Sequence, residues 1–240
     1  MKLFLPKQHG AWAMLIIPFW LGVISTSFIW EHIPFFIGWL FLYLATYPML
    51  LLFKKKKIPF YMRWTLIYLI PALILLIIPL VHRPSIIYFG IAMFPFFIIN
   101  AYFSSKNKER AFLNDLSAIT VFGIAGLASS YLVTADIHSL ALLAFVTTFL
   151  FFVGSTFYVK TMIREKKNQL FKYLSWGYHV LVSIVWLFSG QWLITLAFLP
   201  SLYRAIFFYG KPLSAKEVGI LEIVNASFFF IVISVVLIFA

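Results

Sequence analysis

Long apolar runs, each near twenty residues, alternate along the chain with short stretches that carry cations, prolines or glycines. A run of that length crosses the hydrocarbon layer as a helix, because inside a bilayer every backbone polar group must find its partner within the segment. Breaks in hydropathy therefore count crossings. They predict nine spans, near residues 11–29, 34–53, 64–80, 84–103, 114–133, 138–159, 171–188, 191–209 and 218–239. Pro34, Pro59, Pro84 and Pro212 stand at entries, whereas Pro18, Pro48, Pro71, Pro79, Pro95 and Pro200 fall inside spans or near their ends, where helices bend. No stretch reads as a linker between soluble domains, so residues 1–240 are expected to form a single integral membrane domain, an all-α polytopic membrane protein with nine transmembrane helices.

Composition agrees with the pattern. Of the 240 residues, 63% are hydrophobic and 11% charged, and the mean hydropathy is +1.00, far from a soluble domain. The opening "MKLFLPKQHG" has little of a signal peptide's basic region and no cleavage site behind a short apolar core. The first span is therefore expected to stay as an anchor.

The net charge of +12 would suggest nucleic acid in a soluble protein. In a membrane chain it marks loops lying against an anionic leaflet, so no nucleic-acid partner is expected. With alternating crossings, every lysine and arginine except Arg83 falls on one side. The positive-inside rule then predicts a bacterial cytoplasmic-membrane protein with its N-terminus inside and its C-terminus outside. Polar chemistry is expected on the cytoplasmic face, because the outer connections are short.

There are no cysteines, which removes thiolate nucleophiles and thiolate metal ligands. The seven acids are Glu31, Glu109, Asp115, Asp136, Glu165, Glu217 and Glu222, and no two stand four apart as paired Mg²⁺ ligands on a helix would. Neither a metal nor another cofactor is implied.

Cationic groups are the stronger signal. Lys160 and Arg164 stand four apart after Tyr158, so on a continuing helix they share a face and can clamp an anionic group. The segment 100–130 starts with Asn100, Tyr102, Ser104 and Ser105, passes Lys108 and Arg110, and reaches Asn114, placed as a helix N-cap, with Asp115 near the positive helix end. Gly123 and Gly126 read as points of close helix packing. Arg204 in the eighth span and Glu222 with Asn225 in the ninth are ionisable or polar groups within apolar runs, functional candidates by default and also able to pair with one another. His179 in the seventh span reads as a hydrogen bond between helices.

The opening "PKQHGAWAML", with nine spans on 240 residues, resembles the YwiC-like family of bacterial membrane proteins. The layout also resembles the larger UbiA superfamily of intramembrane prenyltransferases. That resemblance implies a nine-helix bundle with a lipid-open cavity facing the cytoplasm. The stretch from Tyr102 through Lys108, Arg110, Asn114, Gly123 and Gly126 is similar to the superfamily's pattern across helices four and five. Such enzymes carry two aspartate-rich motifs that hold a prenyl diphosphate through Mg²⁺; here the first location reads "ATYPMLLLFKKKK" and the second "YVKTMIRE", with Lys160 and Arg164 at the acid spacing. The resemblance, so altered, implies a lipid-facing protein that binds a prenyl diphosphate or other anionic amphiphile through direct cationic contacts, or a divergent prenyltransferase. Lys7, Gln8 and Trp12 would line the mouth of the cavity, and His9 would be the acid or base of any transfer. A small-anion transporter and a non-catalytic subunit of a membrane complex are the alternatives; the sequence names no protein partner.

Overall fold

The computed structural model describes residues 3–6 and 10–240. Among the described residues the chain is all-α, with nine helices: α1 (Gly10–Ile24), α2 (His32–Leu52), α3 (Ile58–His82), α4 (Ile87–Ser105), α5 (Phe112–Thr134), α6 (Ser139–Ile163), α7 (Gln169–Phe188), α8 (Trp192–Phe207) and α9 (Ala215–Phe239). Seven are long and apolar enough to cross a membrane, one of them continuous with the 3-10 turn Pro84–Ile86; α1 and α8, of 15 and 16 residues, are shorter. At 1.5 Å per residue these two reach only about 22 and 24 Å, against about 30 Å of hydrocarbon.

The helices form two compact units, residues 1–142 and 143–240. In the first, α2 packs along α3, and α5 receives α1 and α4. Its core takes Leu15, Phe19 and Val23 from α1, Phe35 and Trp39 from α2, and Phe122, Ala125, Ala128 and Leu132 from α5. Small residues bring α1 and α5 into backbone contact. A Cβ added at Gly126 would lie 2.4 Å from the Pro18 carbonyl oxygen, and one at Gly22 would lie 2.0 Å from the Gly126 oxygen. Ser129 fixes the crossing by donating to the Phe19 carbonyl at 2.8 Å. Before α1, Phe4 stacks on Tyr47 with ring centroids 5.1 Å apart, and its carbonyl accepts from the Tyr68 hydroxyl.

In the second unit, α7 packs on α8 and α8 on α9. Helix α6 joins them through Phe151, stacked on Phe229 at 4.1 Å, and through its Leu150 carbonyl, which accepts from the Tyr178 hydroxyl at 2.8 Å.

Three boundaries depart from the hydropathy reading. Helix α1 stops at Ile24 rather than residue 29, because the Ser25 and Thr26 hydroxyls take the Gly22 and Val23 carbonyls of its last turn. Helix α3 starts at Ile58 rather than residue 64, with Pro59 in its first turn where no N–H is required. Helix α5 starts at Phe112, so Ala111 and not Asn114 holds the cap position. Arg83, the cation on the opposite side in the sequence reading, donates to the Leu132 and Val133 carbonyls at the end of α5, as cations at helix C-termini do.

Helix α9 begins with a capping box: the Ser214 hydroxyl accepts from the Glu217 N–H, and the Glu217 carboxylate accepts from the Ser214 N–H. Ser214→Ala is expected to lower stability by about 1 kcal/mol. Thermal unfolding of the detergent-solubilised protein should show the loss, and Ser214→Asp should keep most of the wild-type midpoint.

Candidate polar centre of the second unit

A short connection, residues 208–214, joins α8 to α9 as a hairpin, and each helix contributes two polar residues three positions apart: Ser201 and Arg204 on α8, Glu222 and Asn225 on α9. That spacing keeps each pair on one helix face. The result is a ladder of two polar rungs. Arg204 Nη1 donates to Glu222 Oε1, and Asn225 Nδ2 donates to Ser201 Oγ at 2.9 Å.

Helix α6 closes the arginine from another side. Arg204 Nη2 donates to Ser155 Oγ at 3.1 Å, and its guanidinium carbon lies 4.3 Å from the Tyr158 ring centroid, within cation–π range. Arg204 is only 3% exposed. A guanidinium so buried is tolerable only because a carboxylate, a hydroxyl and an aromatic face replace its water.

Helix α7 adds Ser175, His179 and Ser183, four apart and therefore on one buried face. His179 Nδ1 is hydrogen-bonded to the Ser175 carbonyl of its own helix at 2.7 Å, so the expected bond between helices is not formed. Its Nε2 faces Gly154 of α6, where an added Cβ would lie 3.1 Å away, and the ring is near enough to Arg204 to feel its charge.

Not all of this polarity is paired. The Tyr158 hydroxyl, Arg204 Nε, His179 Nε2, Asn225 Oδ1 and the Ser175 and Ser183 hydroxyls are buried without a hydrogen-bond partner. Orphaned buried polar atoms are rare in folded proteins and call for an explanation each time. With Trp186 Nε1 of α7, seven such atoms lie in the second unit among the described residues.

The residues singled out from sequence fall into separate settings. Lys7, Gln8 and His9 lie outside the described residues. Trp12 is half-buried and meets Tyr43 edge-on at 5.8 Å, a packing role between α1 and α2. Asn100 donates to Phe96 O on its own helix and accepts weakly from Ser117 of α5 at 3.4 Å, while Tyr102 is exposed. Lys108 and Arg110 are exposed in the turn before α5, and Asn114 donates back to the Glu109 carbonyl at 2.7 Å. Tyr158 is buried under Arg204. Helix α6 ends at Ile163, so Lys160 is half-buried in its last turn and Arg164 is exposed just past it, rather than both on a continuing helix.

An ion pair not anticipated from sequence links the two loops at one end of the first unit: Lys54 after α2 with Glu109 before α5. Burial pushes the Glu109 carboxyl up, but the Lys54 hydrogen bond and charge, its own backbone N–H and the Arg110 charge outweigh this and hold it below the usual carboxylate value. The carboxylate thus neutralises one cation of a crowded loop cluster. Its signal in the sequence was its isolation, a single acid among the lysines of two loops. Among the described residues no three His, Asp or Glu side chains gather as metal ligands.

Nine helices among the described residues, seven of membrane-crossing length and composition, and a charged centre buried between apolar faces define a polytopic α-helical membrane protein. The family model described as "YwiC-like protein" matches residues 5–130, and the chain belongs to the YwiC-like family. It is 46% identical over 229 residues to "Uncharacterized protein YwiC" of Bacillus subtilis (strain 168), covering 95% of this chain and 96% of that one. It is 38% identical over 235 residues to an "Uncharacterized protein" of Haemophilus influenzae, covering 98% and 99%. The family model ends in α5, but these relatives run through α6–α9 and so include the region of the polar centre. No solved structure matches the chain.

Proposed function

We propose that this protein binds an anionic amphiphile, an isoprenoid diphosphate by the UbiA resemblance, with the head group drawn toward the Arg204 centre and the tail among the surrounding apolar helices. One observation carries the reading: a guanidinium buried in membrane helices, surrounded by orphaned hydrogen-bonding atoms. Ionisable groups in such helices are costly and are kept where they meet substrate.

Electrostatics give the direction. The α6–α7 connection and the helix ends beside it carry Lys160, Arg164, Lys166, Lys167 and Lys172, and the α8–α9 connection carries Lys211, a positive rim for which an anion is the complement. Ammonium and guanidinium groups hold phosphate oxygens without a divalent ion, Arg as a fork and Lys as a point charge. The cytoplasmic face is the side this rim occupies under the positive-inside rule. Binding is the primary activity of this reading. Prenyl transfer would require ionising the diphosphate without Mg²⁺, which forgoes a large electrostatic contribution, and would rely on the cations and on His9 for proton transfer.

The test is binding of radiolabelled farnesyl diphosphate to the purified protein in nanodiscs, with Mg²⁺ and with EDTA. Saturable binding of similar affinity in both is expected, weakened at least tenfold by Lys160→Ala combined with Arg164→Ala. Absence of both binding and turnover sinks the reading.

The polar stripe Ser175, His179 and Ser183 along α7 favours a second reading, conduction of a small anion through the second unit. Chloride or phosphate flux in proteoliposomes that Lys160→Ala abolishes would put it first.

A further inference from the structure

At one end of the first unit, where α2 begins and α3 finishes, a pocket of ≈ 350 Å³ is lined by Trp30, Glu31, Ile77, Ile78, Val81 and His82. Its lining is mostly apolar and includes one carboxylate, that of Glu31. Glu31 is 8% exposed, and among the described residues its carboxylate is paired with His82, with Nδ1 3.0 Å from Oε1.

The fold does not account for that carboxylate. Glu31 immediately precedes α2 but makes no side-chain cap to it. The neighbouring cationic or basic groups are committed elsewhere: Arg83 to the carbonyls of α5, and His32 to the backbone of Ile29 and, at 2.9 Å, of Ser129. His82 is the exception, since its side chain is 40% exposed and has water available in place of Glu31. An almost buried carboxylate is thus held by a replaceable imidazole.

Around it stand the exposed indole of Trp30 and the exposed side chains of Ile77 and Val81. A carboxylate that can accept hydrogen bonds, an aromatic face and apolar side chains complement a donor cation with an apolar body. We propose that this pocket binds the primary ammonium group of an amphiphilic amine. Glu31 is its counter-ion, Trp30 lies against the ammonium, and Ile77, Ile78 and Val81 hold the alkyl portion; His82 holds the place that the ammonium takes. The site is separate from the Arg204 centre and opposite in charge preference. The ends of α2 and α3 lie at head-group depth, so a free alkylamine and the ethanolamine head group of a phospholipid offer the same chemistry.

Octylammonium titrated into the protein in phosphatidylcholine nanodiscs tests this by calorimetry. Saturable binding is expected, at least tenfold weaker in Glu31→Gln, several-fold weaker in Trp30→Ala and several-fold tighter in His82→Ala, where the competing imidazole is gone. A gain in affinity cannot arise from a damaged fold, and thermal midpoints of all variants separate lost binding from lost structure. Repeating the titration with phosphatidylethanolamine in the nanodiscs distinguishes the sources: competition assigns the site to the lipid head group, and unchanged affinity assigns it to a free amine. Non-saturable uptake, equal binding by Glu31→Gln, or equal binding of octanoate overturns the proposal.

Discussion

Gly126→Val is expected to destabilise the first unit by about 3 kcal/mol or more, the upper end of what overpacking costs. The reason is what the new side chain meets. A Cβ at Gly126 would stand 2.4 Å from the Pro18 oxygen and 2.9 Å from its carbon, both backbone atoms that cannot rotate aside. Helices α1 and α5 must then part, which stretches the Ser129 bond to Phe19 and the 3.2 Å contact between the Ser25 and Ser130 hydroxyls. Small residues at such crossings supply much of the packing between membrane helices, since lipid offers apolar groups no hydrophobic gain from association. Gly90→Ala, Gly177→Ala and Gly219→Ala are the controls, because a Cβ at these helical positions meets nothing within 4 Å. They should be neutral or gain up to about 1 kcal/mol from helix propensity. Thermal unfolding followed by size-exclusion fluorescence ranks the four, and a Gly126→Val protein as stable as the controls would refute the argument.

Gly126 was readable in advance as a close-packing point, because a glycine deep in an apolar span has few other uses. Which helix it touches was not: that depends on the rotation of α5 about its axis, and α5 is apolar on nearly every side. The helices themselves were legible for a simple physical reason. Breaking backbone hydrogen bonds in hydrocarbon is so costly that a span shows as an uninterrupted apolar run. Boundaries failed where hydrogen bonding and hydropathy part company. The span drawn to residue 29 takes in Ser25, Thr26 and Ser27, and the first two hydroxyls end α1 at Ile24; Arg63 is polar, yet α3 is already helical from Ile58.

The polar centre was half legible. Arg204, Glu222, His179 and Asn225 stand out in apolar runs, and the hairpin length allows the first two to pair. Tyr158 was singled out beside Lys160 and Arg164 as a binding residue, whereas Ser155 carried no mark, since serine is common in membrane helices; only the packing of α6 brings the two to the guanidinium. The cationic pair Lys160 and Arg164 was chosen by spacing, and the end of α6 between them separates their settings.

Arg204→Met is expected to cost about 3–5 kcal/mol, the usual consequence of removing one partner of a buried ion pair. It leaves the Glu222 carboxylate, 16% exposed, with no counter-ion, and strips Tyr158 of its cation. Glu222→Leu should cost a similar amount by leaving the guanidinium charged in an apolar setting. The double variant is the decisive one. If the ion pair is mainly structural specificity, Arg204→Met with Glu222→Leu should recover most of the wild-type thermal midpoint, because well-packed apolar residues replace a buried pair at little cost. Farnesyl diphosphate binding in that same folded protein should nevertheless fall at least tenfold, since the buried cation is gone while the rim remains. Stability recovered with binding intact would move the anion site to the rim alone, and it would leave the orphaned atoms around Tyr158 and His179 to a different guest.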